Sequence, residues 1–211
     1  MRIYDISPAL SSQTACWPGD TPFEQWKVQS FSEGDAINLG SIRLSLHTGS
    51  HMDAPCHYLK DGATIDQIPL ERCIGPARLV TLTGEVTISA SRLERLHVLQ
   101  EGCPERLLIR LCPVQDAFQF PSQYSCLSAE AAELISESGI KLLGVDAPSV
   151  DRVDSKDLLV HHKLGQAGIV ILENLLLSGV PDGDYELVAL PLKIEGGDGS
   201  PVRAILRESP E

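Results

Sequence analysis

Between residues 47 and 57 the chain reads His47-Thr48-Gly49-Ser50-His51-Met52-Asp53-Ala54-Pro55-Cys56-His57, and no other stretch restricts its folding choices so strongly. Thr48-Gly49-Ser50 is a poor helix former, and Pro55 breaks any helix that reaches it. A helical pair of histidines four residues apart is therefore disfavoured. Upstream, Ile42, Leu44 and Leu46 alternate with Arg43, Ser45 and His47, the period of a half-buried strand. The expected local structure is a strand over 41–47 that opens into a tight loop, where irregularly spaced side chains converge on one point. Three imidazoles and a carboxylate within eleven residues suit zinc, manganese or iron. Calcium and magnesium favour all-oxygen shells instead. Asp53 can bridge two cations, one on each oxygen. The plainer reading, polar residues on a surface loop with His57 a hydrogen-bonded bystander, would hold for one histidine better than for this cluster.

A second metal needs ligands from elsewhere. His97 falls in a short helical pattern and is expected to face solvent. His161 and His162 precede Lys163-Leu164-Gly165, and twelve residues after His161 comes Glu173, at the end of the apolar run Gly168-Ile169-Val170-Ile171-Leu172. A carboxylate placed after such a buried strand is costly unless a cation or metal pairs with it. An arginine partner is the alternative.

The 211 residues, 43% hydrophobic and 22% charged, fit a single domain spanning 1–211. A net charge of −12 with no basic run argues against nucleic acid and anionic membrane surfaces as partners. No apolar run approaches the ~20 residues of a membrane span, and no signal peptide is apparent. The six cysteines, Cys16, Cys56, Cys73, Cys103, Cys112 and Cys126, include no C-x-x-C pair and are expected to be reduced, consistent with a cytoplasmic protein. Further strands are expected over 78–83, 107–112, 140–146, 169–173, 186–192 and 201–206. The best helix runs from an N-cap at Ser128 to a stop at Gly139. A shorter one is expected after Ser91, with Leu93 and Leu96 inward. Strands outnumber helices, so the expected fold class is α/β: a single domain with a β-rich mixed core flanked by a few helices.

With these residues in view, the sequence resembles the cyclase-like metal-dependent hydrolases. The family pattern His-X-Gly-Thr-His-X-Asp-X-Pro-X-His is matched from His47 to His57, with Ser50 in place of Thr. Tyr4-Asp5-Ile6-Ser7, Trp17-Pro18-Gly19-Asp20-Thr21-Pro22, Gly144 to Asp151, His161 to Asn174, and the tail from Leu190 to Ala204 look like its formamidase branch. The resemblance implies a barrel-like core, a homodimer and two Zn2+ per subunit, with manganese as the alternative. It implies one zinc on His47, His51 and Asp53, and a second on Asp53, His161 and Glu173. His161 is chosen over His162 for its interval to Glu173. The resemblance leaves His57 to move protons and Trp17 to line the substrate pocket.

The activity so implied is hydrolysis of N-formyl-L-kynurenine, a small-molecule substrate, to L-kynurenine and formate in tryptophan breakdown. A related hydrolase of another amide or lactam, such as isatin, is the nearest rival. His51-X-Asp53 with a distant histidine also spells the facial triad of non-haem iron oxygenases, but leaves His47, His57 and Glu173 without roles. A non-catalytic metal-binding module is the third reading, and Cys56 is expected to be dispensable.

Overall fold

Apolar runs long enough to be buried on both faces make the centre of a sheet, and shorter or alternating ones make its edges. In the computed structural model, which describes residues 1–100, 102–112 and 115–208, the first strands are β1 (Ile3–Asp5), β2 (Glu24–Gln29), β3 (Leu39–Arg43), β4 (His51–Asp53), β5 (Ile74–Thr81), β6 (Thr87–Ile88) and β7 (Arg106–Arg110). They are followed by β8 (Cys126–Leu127), β9 (Leu142–Val145), β10 (Val170–Glu173), β11 (Gly183–Val188), β12 (Gly199–Pro201) and β13 (Ile205–Arg207). The helices are α1 (Leu70–Cys73), α2 (Ala90–Arg95), α3 (Ala129–Glu137) and α4 (Leu159–Gln166).

The main sheet has nine strands in the order β1-β13-β11-β5-β7-β9-β10-β4-β12. Neighbours from β5 through β10 run parallel, and the outer pairs run antiparallel. The sheet curls into a half-barrel, so the α/β class and the β-rich, barrel-like core with few helices hold. β7, β9 and β10 send alternate residues to two cores, as a period of two requires. Leu108, Leu142 and Leu172 enter the core that also holds Met52 and Leu187, while Ile109, Leu143 and Ile171 meet α2, α3 and α4 through Leu93, Ile135 and Leu164. Among the described residues no helix is long and apolar enough to cross a membrane.

The strand expected over 41–47 ends at Arg43, opposite Glu24 at the start of β2. Beyond that pair the ladder ends, and residues 44–50 turn before β4 begins. The strand expected over 201–206 splits. β12 pairs with β4 and β13 with β1 and β11, at opposite ends of the sheet. Ser128 caps α3 as expected, accepting from the Ala131 amide, and Gly139 takes a left-handed φ of 84° just past its end. The shorter helix is capped by Ser89 rather than starting after Ser91, and its Leu96 is exposed while Leu93 is buried. Its six residues give only one inward turn, which Leu93 occupies. No helix is expected from the sequence at α4, the element that carries His161.

Candidate metal centre and pocket

The three residues of β4 place two ligand candidates on one face of a strand, where a loop is expected from the sequence. His51 and Asp53 project together, and Met52 between them fills the core on the other side. In the antiparallel register His51 lies opposite Glu173 and Asp53 opposite Ile171. α4 then lays His161 over the pair. Its Nε2 stands 3.4 Å from Asp53 Oδ2 and 3.3 Å from Glu173 Oε1. His51 Nε2 is 3.4 Å from both Asp53 Oδ1 and Glu173 Oε2. His47, in the turn before β4, brings Nδ1 to 3.0 Å from Asp53 Oδ1.

Three trios thus have their ligand atoms within 4.8 Å of one another: His47, His51 and Asp53; Asp53, His161 and Glu173; and the more exposed His47, His57 and Asp198. The first two share Asp53. His162 belongs to none of them among the described residues; its ring lies 6.5 Å from that of Tyr58. His97 is exposed with a left-handed φ of 51°.

The outer nitrogen of each imidazole in the first two trios has an acceptor. Gly49 O is 2.9 Å from His51 Nδ1, Asp151 Oδ2 is 2.7 Å from His161 Nδ1, and Asp198 Oδ2 is 3.4 Å from His47 Nε2. An N–H held outward leaves the lone pair of the inner nitrogen facing the carboxylates, the tautomer a metal requires. Asp151 does a second job: it accepts from the Val160 and His161 amides at the start of α4, where Leu158 supplies no side-chain cap. Glu173 Oε1 accepts from the Val150 amide at 2.8 Å, and no arginine reaches it among the described pairs.

Burial works against every charge here, but the opposite charges outweigh it. His51 is desolvated, yet Asp53 and Glu173 lift it to about 10. His161 is likewise raised well above the usual imidazole range, by Asp151, Asp53 and Glu173. Asp53, also desolvated, is held well below the carboxylate range by His161, His47 and His51. Asp53 Oδ2 is buried with no hydrogen-bond partner. An ionised oxygen left bare among imidazole nitrogens, in a mixed nitrogen and oxygen donor set, fits a transition metal.

A cavity of about 880 Å³ opens over these residues. It lies beyond the carboxyl ends of β7, β9 and β10, where open α/β sheets place ligands. Trp17 lines it and meets Phe120 edge-on, with ring centroids 5.2 Å apart. His57, at the end of a 3-10 turn that starts with Pro55, also lines it; its ring centroid is 4.1 Å from that of His47. Asp146 borders the cavity too. It accepts from the Leu111 and Cys112 amides, and burial pushes its carboxyl up to about 6. Cys56 is half-buried, with its thiol donating to Gly197 O at 3.6 Å.

Phe120 is unmarked in the sequence, and Asp151 and Asp198 carry no role there beyond their places in family-like segments. Asp198 stands 151 residues from His47 in a glycine-rich turn, and nothing in its spacing points to a histidine.

A sequence profile described as "Putative cyclase" matches residues 4–152. A kynurenine formamidase of Bacillus cereus is 45% identical over 203 residues, 96% of each chain. Among solved structures, a potential metal-dependent hydrolase with cyclase activity superposes with a TM-score of 0.83 at 29% identity over 99% of both chains. Isatin hydrolase A from Labrenzia aggregata superposes with a TM-score of 0.84 over 99% of this chain and 94% of its own, but at 24% identity it shares the fold alone. The profile covers residues 4–152, the sequence likeness and the fold cover nearly the whole length, and the chain belongs to the cyclase family, in its kynurenine formamidase branch.

Proposed function

We propose that this chain hydrolyses N-formyl-L-kynurenine to L-kynurenine and formate. The observation that carries the reading is Asp53, whose buried Oδ2 has no hydrogen-bond partner and which is shared by two trios of ligand atoms, beneath an aromatic-walled cavity lined by His47, His51, His161 and Glu173. The 45% identity to a protein named kynurenine formamidase supports the substrate. We assign His47, His51 and Asp53 to one Zn2+ and Asp53, His161 and Glu173 to a second, with manganese the alternative. Bound metal would supply a polarised formyl oxygen and an acidified water.

The chain's own residues do the rest. His57, beside His47 on the cavity wall, takes a proton from the attacking water and returns it to the aryl nitrogen, which can then leave as an amine. An imidazole suits this shuttle because its ordinary pKa, about 6.5, lies near neutrality. Trp17 offers the aryl ring a flat apolar face, and Phe120 braces Trp17 edge-on.

We further propose that residues 1–211 act as one catalytic unit within a homodimer. The β2–β3 hairpin supports the dimer: it carries Trp26, Val28, Leu39 and Ile42 in exposed positions and, among the described residues, pairs with no other strand. Two-stranded hairpins are marginal alone in water, and a second copy would cover this one. A cytoplasmic setting is supported by six cysteines that are all unpaired.

The deciding experiment mixes chelated protein, reloaded with zinc or with manganese, with N-formylkynurenine and follows kynurenine absorbance. Metal-dependent turnover is expected. Ring opening of isatin without turnover of the formamide would defeat the substrate and leave the family assignment standing.

A further inference from the structure

Among the described residues, Asp198 is the one carboxylate that touches both a ligand candidate and the residue assigned to proton movement. Its Oδ2 lies 3.4 Å from His47 Nε2 and 3.4 Å from His57 Nδ1. The backbone fixes where that oxygen can be. Asp198 O accepts the Ala54 amide at 2.9 Å, and the next residue, Gly199, pairs with Asp53 across β12 and β4. The approach is close: a Cβ on Gly199 would stand 2.8 Å from His47 Cε1 and 3.1 Å from the Met52 carbonyl oxygen. The strand that follows Asp198 is thus pressed against the His47 ring, and His57 lies over the same ring at 35°.

We propose that Asp198 is a positioning residue that sets the tautomer and orientation of His57. Its carboxylate oxygen has two acceptor positions and receives an N–H from each ring. Accepting at His57 Nδ1 places the imidazole proton there and leaves Nε2 as the basic nitrogen for the cavity that His57 lines. Accepting at His47 Nε2 likewise turns His47 Nδ1 toward Asp53. One side chain thereby keeps the proton carrier in register with a ligand of the metal site. The inference rests on the proposed role of His57, but the tautomer can be read without any substrate.

The test uses zinc-loaded protein at a pH where His57 is neutral. Long-range proton–nitrogen correlation spectra of nitrogen-15-histidine protein report which ring nitrogen carries the proton. The unaltered protein is expected to show His57 protonated at Nδ1 alone, and Asp198→Ala a mixture of both tautomers. With N-formylkynurenine and saturating zinc, Asp198→Ala should lose about ten- to a hundredfold in kcat with KM unchanged, a loss that further zinc does not repair even though His47 has also lost its acceptor. Asp198→Asn, which still offers a carbonyl acceptor, should restore the single tautomer and part of kcat; it also covers the case in which the alanine variant fails to fold. A His57 tautomer in the unaltered protein that is mixed, or protonated at Nε2, overturns the inference. So does a kcat loss that excess zinc repairs, because Asp198 would then serve His47 only. If the unaltered protein turns over no N-formylkynurenine, the proposed substrate fails while the spectra still decide the role of Asp198.

Discussion

Asp53 is 1% exposed and Glu173 4%, and neither has a lysine or arginine among its described ion-pair partners. Histidines alone balance them, so their removal from water is tolerable only with a cation in the site or protons on the rings. Asp53→Ala is therefore expected to abolish metal binding in both trios that share it, whereas His57→Ala should keep the metal and lose about a hundredfold or more in kcat. Metal analysis beside kinetics separates the two variants; metal lost from His57→Ala would make His57 a ligand. Asp146 behaves differently. Burial raises its folded value to about 6, above the ordinary carboxylate value, so the native state binds more protons than the unfolded chain between those limits. Stability is then lost as pH rises through that window, by at most about 3 kcal/mol. Asp146→Asn keeps an acceptor for the Leu111 and Cys112 amides and carries no charge. It should be about 1–3 kcal/mol more stable than the parent at pH 8, with the gap closing near pH 4, as urea titrations would show.

Elements divide the labour of the site. β4 supplies His51 and Asp53 through its period of two, β10 supplies Glu173 at the opposing register position, and α4 adds His161. Asp151 couples the last of these to the rest, since one carboxylate caps α4 and holds His161 Nδ1. Asp151→Ala should lower stability by about 1–2 kcal/mol through the lost cap. It should also weaken metal binding about ten- to a hundredfold, because His161 is no longer held in one tautomer. Calorimetric metal titration checks the second effect and thermal unfolding the first. Retained affinity would show that packing against Tyr58, whose ring centroid is 5.2 Å from that of His161, suffices to orient the ring. The same division explains what was legible beforehand. β10 is readable as an apolar run ending in an acid. α4, Leu-Val-His-His-Lys-Leu-Gly-Gln, is short and lacks a side-chain N-cap from its own flank, so no local signal marks it.

On the scale of the whole molecule, the exposed β2–β3 hairpin is the surface proposed above to meet a second copy. Trp26→Glu within it is expected to shift the proposed homodimer toward monomer by sedimentation velocity while leaving metal content unchanged; an unaltered dimer would place the interface elsewhere. The cluster from His47 to His57 was readable as a candidate metal site because its residue types, crowded into eleven positions, have few other uses. Alternation and apolar runs likewise marked most strands of the β-rich core, and family likeness singled out His161 and Glu173. What the linear chain could not decide was which elements would lie side by side. The turn after Arg43 follows from where β2 begins, and the split of the last strand from places at opposite ends of one sheet. Asp198 and Asp151 gain their meaning only where β12 crosses beside β4 and α4 packs over β10. A hydrogen bond between residues 151 positions apart depends on strand order and register, and neither is a property of any local segment.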